Sequence, residues 1–182
     1  MIKQFPTEKA QKIKLVALDV DGVLTDGGIV LHETGSESKR FYVRDGLGIR
    51  LLARAGITVG LITARHSQLV VRRGQELNLA FVHQGIKNKW AALQGEMNQR
   101  NLVAWQCAYM GDDLVDLDLL SRVGLSATPA DGQPEVMERV DWIASHKGGW
   151  GAVRELAEQI LKARGEWSNL VQSFLPAPEE GG

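Results

Sequence analysis

Apolar runs at 13–18, 57–62, 79–83 and 103–110 each stop at a polar or glycine-bearing turn, and stretches with helical spacing separate them. Ile13 to Leu18 shows no apolar–polar alternation, which is the pattern of a strand buried on both faces. Asp45 is placed to cap a helix from Gly46 to Ala55, with Leu47, Leu51, Leu52 and Ala55 on one side and Gly56 as its stop. Ser67 opens a second helix reaching about Leu77, Lys87 to Asn98 forms a third, and Leu114, Leu117 and Leu120 mark a fourth. Val153, Leu156, Ala157, Ile160 and Leu161 keep helical spacing from Ala152 to Ala163. Val123–Ala127 and Asp141–Ala144 add strand-like segments. Such alternation requires a mostly parallel sheet with helices on both faces.

The expected fold is therefore α/β: a Rossmann-like, doubly wound parallel sheet in a single domain, 1–182, with no inserted cap domain. One interruption stands out. Asp26–His32 and Lys39–Val43 flank the polar turn Glu33–Ser38, which predicts a hairpin flap over about 26–43. Residues 1–12 read as a lead-in and 165–182 as a mobile tail, Pro/Glu/Gly-rich from Pro176. A net charge of −1 gives no reason to expect nucleic acid, and no apolar run approaches the ~18 residues of a membrane span. The single cysteine, Cys107, rules out an internal disulfide and reads as a small buried hydrophobe. Without a signal-peptide core in Met1–Gln11, the expectation is a cytoplasmic protein.

Chemistry-bearing residues recur at the strand ends. Asp19 and Asp21 follow the first strand, Thr63 the second, and Asp112 and Asp113 the fourth; Lys89 lies near the start of the helix after the third. A parallel sheet brings those ends to one edge, where ligands bind in open α/β folds. Singly, each residue has an ordinary reading: two acids two apart make a turn, Thr63 ends a strand, and Lys89 is a surface lysine. Together they place several carboxylates, a hydroxyl and an amine at one edge. Unpaired carboxylates would raise one another's pKa values, and a hard cation with oxygen ligands, Mg²⁺ first, relieves this. Lys89 leaves room for a phosphate, and a carboxylate nucleophile can carry a phosphoryl group. Asp118 and Arg72 read as solvated helix residues, and Trp90, Trp105 and Trp142 as packing residues. The four histidines lack metal-ligand spacing.

Asp19-Val20-Asp21-Gly22-Val23-Leu24-Thr25, Leu61-Ile62-Thr63-Ala64-Arg65, Lys89 and Gly111-Asp112-Asp113 resemble, in order, the four motifs of the haloacid dehalogenase-like phosphatases. Phe41-Tyr42-Val43-Arg44-Asp45-Gly46, Gln84-Gly85 and Gly148 to Glu155 resemble the sugar-acid phosphatases of that superfamily's capless subgroup. The resemblance covers about 13–161. It implies Asp19 as nucleophile and metal ligand, and Asp21 as general acid and then base, with its backbone carbonyl on the metal. It further implies Thr63 and Lys89 on the phosphoryl group, Asp112 on Mg²⁺, and Asp113 and Asp116 in support. Around the substrate it implies Asp21, Tyr42, Val43, Arg44, Asp45, Gly46, Arg50, Arg65, Arg73 and Lys89. Arginine suits a sugar acid because its fork donates two parallel bonds to a carboxylate. Trp150 stands where close members often carry arginine.

The implied reaction is Mg²⁺-dependent hydrolysis of a sugar-acid phosphate. An octulosonate 8-phosphate is expected ahead of the nonulosonate 9-phosphates or a catalytically silent sugar-phosphate binding subunit. A phosphorelay receiver uses a similar residue set, but there the acid pair precedes the acceptor Asp, the reverse of this chain. No GK[ST] loop is present, which disfavours a nucleotide-driven kinase. Ile29, Leu31, Phe41 and Val43 on the hairpin form a patch that a small monomer cannot fully bury, and the subgroup resemblance implies a homotetramer. No nucleic-acid or membrane partner is expected.

Overall fold

Residues 3–176 are described by a computed structural model. In chain order they form α1 (Thr7–Ala10), β1 (Leu15–Leu18), a hairpin of β2 (Val30–Leu31) and β3 (Glu37–Ser38), α2 (Val43–Arg54), β4 (Thr58–Ile62) and α3 (Gln68–Glu76). Then follow β5 (Phe81–His83), α4 (Lys89–Arg100), β6 (Cys107–Met110), α5 (Leu117–Leu120), β7 (Leu125–Thr128), α6 (Pro134–Arg139), β8 (Trp142–Ile143), α7 (Ala152–Ala163) and α8 (Trp167–Gln172). Six strands make one parallel sheet in the order β5-β4-β1-β6-β7-β8. The chain moves outward from β1 through β4 to β5, then returns to the other side of β1 for β6. The strand order thus reverses at β1, which opens a crevice at its C-terminal end.

Alternate residues of β1 feed two cores. Val16 and Leu18 pack with Ile49 and Leu52 of α2, Val70 of α3 and Leu156 and Ile160 of α7. Leu15 and Ala17 pack with Leu93 and Met97 of α4, Leu119 and Leu120 of α5 and Val136 of α6. Each fully buried aliphatic side chain contributes about 1.5–3 kcal/mol by leaving water, so the central strand is held from both faces. Between β1 and α2 the described residues contain a hairpin and no cap domain. Among the described residues no helix is long and apolar enough to cross a membrane.

Several local expectations need correction. The second hairpin strand is Glu37–Ser38, not 39–43, because Val43 already begins α2. Asp45 is not the N-cap of its own helix. Its carboxylate accepts from Gly151 N (3.3 Å) and Arg154 N (2.7 Å), and so caps α7 from outside. Ser67 opens α3 but sends its hydroxyl to Glu37 instead of to the helix N–H groups. The run 103–110 is a strand only from Cys107. Ala104–Gln106 form a 3₁₀ turn, and Trp105 is exposed, not packed. The lead-in holds α1, and the segment expected as a tail from 165 holds α8, whose Trp167 and Leu170 pack on the core. Residues 177–182, most of the Pro/Glu/Gly-rich end, lie outside the described residues. Phe41 packs against the core, so it is not part of the hairpin's open patch. The exposed apolar residues are Ile29, Val30 and Leu31 of the hairpin and Val43 at the start of α2, with Leu31 and Val43 each 75% exposed.

Candidate functional site

The crevice at the end of β1 is where the acidic residues meet. Asp19 follows β1 directly, Asp112 follows β6 after Gly111, and Asp116 ends the 3₁₀ turn Leu114–Asp116. Carboxylate oxygens of Asp19, Asp112 and Asp116 lie within 4.8 Å of one another. Lys89, at the first position of α4, sends its ammonium into this cluster. It stands 2.9 Å from Asp19 Oδ2 and donates to Asp116 Oδ1 (2.7 Å) and to the Tyr109 hydroxyl (3.2 Å). Asn88 caps α4 by accepting from Ala91 N (2.9 Å), which fixes where that helix, and hence Lys89, begins.

Asp116 is fully occupied by protein donors. Oδ1 accepts from Lys89 and from Tyr109 (2.6 Å), and Oδ2 accepts from the backbone N–H of Asp112 (3.0 Å) and Asp113 (3.2 Å). It therefore orients the lysine and the loop that carries Asp112. Asp112 Oδ1 is buried without a hydrogen-bond partner. A buried, unpartnered carboxylate oxygen is costly unless a cation meets it. Three carboxylates face one ammonium here, so two negative charges remain uncompensated. The donor set is all oxygen, as Mg²⁺ requires. The residues present thus fit a hard divalent cation at Asp19 and Asp112.

The electrostatics carry the same message. Burial, reinforced by Asp116 and opposed by Lys89, pushes the Asp19 carboxyl up to about 6. Burial and the charges of Asp19, Asp116 and Asp113 push Asp112 up to about 7. Burial alone would lower the Lys89 ammonium; Asp19 and Asp116 outweigh it and hold Lys89 above its ordinary value. The Tyr109 hydroxyl, fully buried and facing Asp19 and Asp116, is held well above its usual value and stays protonated as a donor.

Glycine permits the close approach. Gly22 has φ of +84°, and a Cβ there would stand 2.0 Å from Asp112 Oδ2. Gly148 lies against the same loop, where a Cβ would stand 1.7 Å from the Gly22 carbonyl oxygen, and Gly149 N donates to Val23 O (2.9 Å). The Gly148–Gly151 segment is thereby pressed onto the Asp21–Thr25 turn.

The remaining predicted residues separate into places. Thr63 is buried at the end of β4, and its hydroxyl accepts from Arg65 N (3.3 Å). Asp21 turns toward the rim, where its carboxylate pairs with Lys39 and lies 3.6 Å from Arg65 Nε. Tyr42 and Arg44 line a separate cavity of about 440 Å³ with His146, Trp150 and Arg154. Trp150 carries the Arg40 guanidinium 3.6 Å above its ring. Arg73 lies along Gly46 and under the Phe41 ring while bonding Glu76 (3.1 Å). Arg50 is exposed on α2, Val43 is exposed, and Asp113 is exposed with its carboxylate turned to Leu114 N. Asp45 is 1% exposed, and burial raises its carboxyl to about 6 against the two N–H groups of α7. Its carboxylate thus ties the start of α2 to the start of α7.

Two members of the site were not read from the sequence. Tyr109 lay within an apolar strand run, and its only signal was a hydroxyl that needs a partner when buried. Lys39 lay in a segment read as strand and carried no motif.

A family profile of haloacid dehalogenase-like hydrolases matches residues 62–156. The chain is 41% identical over 158 residues to the 3-deoxy-D-manno-octulosonate 8-phosphate phosphatase of Escherichia coli K12, covering 87% of this chain and 84% of that one. Its structure is similar to that of the phosphatase of the same name from Moraxella catarrhalis in complex with magnesium ion, phosphate ion and a KDO molecule. The TM-score there is 0.91, with 40% identity over 93% of this chain and 97% of that one. It is also similar to the cobalt-bound deoxy-D-mannose-octulosonate 8-phosphate phosphatase of Haemophilus influenzae, with TM-score 0.88 and 40% identity over 92% and 99%.

Proposed function

The chain belongs to the haloacid dehalogenase-like hydrolases and, within them, to the 3-deoxy-D-manno-octulosonate 8-phosphate phosphatases, and from that premise we propose how its own residues carry out the reaction. It is a Mg²⁺-dependent phosphatase that releases phosphate from 3-deoxy-D-manno-octulosonate 8-phosphate. The observation that carries this reading is the Lys89 bridge between Asp19 and Asp116 beside the unpartnered Asp112 oxygen.

Asp19 and Asp112 would hold Mg²⁺ through their carboxylates, and Asp21 through its backbone carbonyl. When bound, the ion offsets the charge that the phosphoryl oxygens share with these acids. The Asp19 carboxylate attacks phosphorus, and the sugar oxygen leaves with a proton from Asp21. Asp21 then takes a proton from water, which attacks the aspartyl-phosphate and returns Asp19 with free phosphate. Lys89 and the Thr63 hydroxyl face the transferring group and stabilise its charge. Tyr109 and Asp116 hold Lys89 in place. Arg65, half-exposed at the rim beside Asp21, is the cation we assign to the sugar-acid carboxylate. Arg44 and Tyr42, in the neighbouring cavity with Trp150, are the next candidates.

The working form we propose is a homotetramer in which the exposed Ile29, Val30 and Leu31 of neighbouring hairpins pack together. The reaction is assigned to the cytoplasm. A phosphate-release assay with Mg²⁺ tests the substrate: octulosonate 8-phosphate should exceed nonulosonate 9-phosphates in kcat/KM. A preference for the nine-carbon acids would reassign the substrate while leaving the chemistry in place.

A further inference from the structure

Two residues of the hairpin, Glu37 and Lys39, lie two apart and so share one side of an extended segment. Ser38 between them turns the other way, its hydroxyl 2.8 Å from His32 Nε2. Both charged residues point into the site. Glu37 accepts from the Ser67 hydroxyl and lies 3.6 Å from Arg65 NH2, which ties the hairpin to the loop after β4. Lys39 donates to Asp21 Oδ1, which ties it to the loop after β1.

The Lys39 side chain is 1% exposed. Withdrawing an ammonium from water is costly, and a facing carboxylate is what compensates it. The other neighbours of the Asp21 carboxylate hold it less closely: Thr25 Oγ1 is at 3.5 Å, and Arg65 Nε, on a half-exposed side chain, is at 3.6 Å. Lys39 is therefore the contact that fixes which way Asp21 faces. Lys89 and Lys39 divide the site between them: one cation sits on the nucleophile and the other on the residue that handles protons.

We propose that Lys39 is a positioning residue for the phosphatase reaction, holding the Asp21 carboxylate so that proton transfer depends on the hairpin being seated. This rests on the acid/base assignment of Asp21. Misplacing a proton-transfer group by about an ångström is enough to cost on the order of 100-fold in rate. In the full-length chain with saturating Mg²⁺, Lys39→Met should lower kcat about 30- to 100-fold with KM within about threefold. Lys39→Arg, which can still donate to a carboxylate, should recover a large part of that loss.

The decisive arm is non-additivity. In an Asp21→Asn background, Lys39→Met should cost nothing more, because the two side chains act as one unit. A kcat for Lys39→Met within threefold of the parent overturns the proposal, as does a full further loss in the Asp21→Asn background. If Lys39→Met does not fold, Lys39→Gln carries the same comparison, and a Lys39→Gln that also fails to fold assigns the residue to stability and overturns it. Near-full activity of Asp21→Asn alone removes the acid/base assignment and this inference with it. A slow Asp21→Asn beside an unaffected Lys39→Met removes this inference only.

Discussion

Asp116 and Arg65 stand at opposite ends of the site. The Asp116 carboxylate is fully buried, accepts from four protein donors and hangs from the 3₁₀ turn that follows β6. The Arg65 side chain is 47% exposed, lies 3.6 Å from two acids and hangs from the loop after β4. At the buried end, position is fixed by closed hydrogen-bond shells on strands packed from both sides. At the rim it is fixed by ion pairs between loops and a two-stranded hairpin. The proposed nucleophile, its lysine and the metal-binding acids sit on the rigid part, whereas Asp21 and the residues proposed to face the sugar are held by the loops and the hairpin.

Breaking the buried end should have the largest effect. Asp116→Ala leaves the Lys89 ammonium with Asp19 as its one carboxylate and unpairs the Tyr109 O–H and two backbone N–H donors, so it should cost about 3–5 kcal/mol of stability and nearly all turnover. Chemical denaturation and steady-state assays check both. A loss confined to activity would mean that Asp116 is less central to the fold than its bonds indicate.

Next in size is the response to pH. The carboxyls of Asp19 and Asp112 sit at about 6 and about 7 in the folded chain, above their ordinary value. Protons therefore compete with Mg²⁺, and affinity should rise about tenfold per pH unit between 6 and 7, more steeply below, and level off above. Stability without metal should run the other way. The folded chain holds more protons than the unfolded one from about pH 4 to 7, so it should lose stability as pH rises through that window, with Asp45 adding to the trend near 6. Calorimetric Mg²⁺ titrations and metal-free melts across pH 5–8 measure each; a flat Mg²⁺ affinity would contradict the buried-acid picture.

The rim should respond more gently. Arg65→Met should leave stability within about 1 kcal/mol, since its ion pairs are half in water. It should raise KM for a sugar-acid phosphate more than for a phosphate ester lacking a carboxylate. Equal effects on both would move the carboxylate contact to Arg44. Smallest of all in basic chemistry should be Leu31→Asp, which places a charge on the open hairpin patch. It should disperse the proposed oligomer in light scattering and weaken substrate discrimination while turnover of a simple phosphate ester persists. Phe41 is unsuited to that test because it packs on the core.

The same contrast explains what could be read from the sequence. Asp19, Lys89 and Asp112 follow strands or open helices whose apolar runs are unmistakable, and α7 has the bounds its spacing predicts. Asp45 was misassigned because a first-turn acid looks the same whether it caps its own helix or, as here, a helix 106 residues away. The 103–110 run hid a 3₁₀ turn because the Gln106 side chain accepts from Val103 N, and that local bond has no hydropathy signature. α6 begins at Pro134, which reads equally as a loop proline or as a first helical residue. The Lys39–Asp21 pair joins residues 18 apart through a hairpin whose strands are two residues long, too short for periodicity to place.

In the proposed mechanism the phosphoryl group passes through Asp19. The most direct measurement is to quench the enzyme during turnover of octulosonate 8-phosphate with Mg²⁺, reduce any acyl phosphate with borohydride, and map the modified residue by peptide mass spectrometry. Homoserine at position 19, absent without substrate, is the predicted result. Homoserine at another acid, Asp21 or Asp112 included, would overturn the assignment of Asp19 as nucleophile.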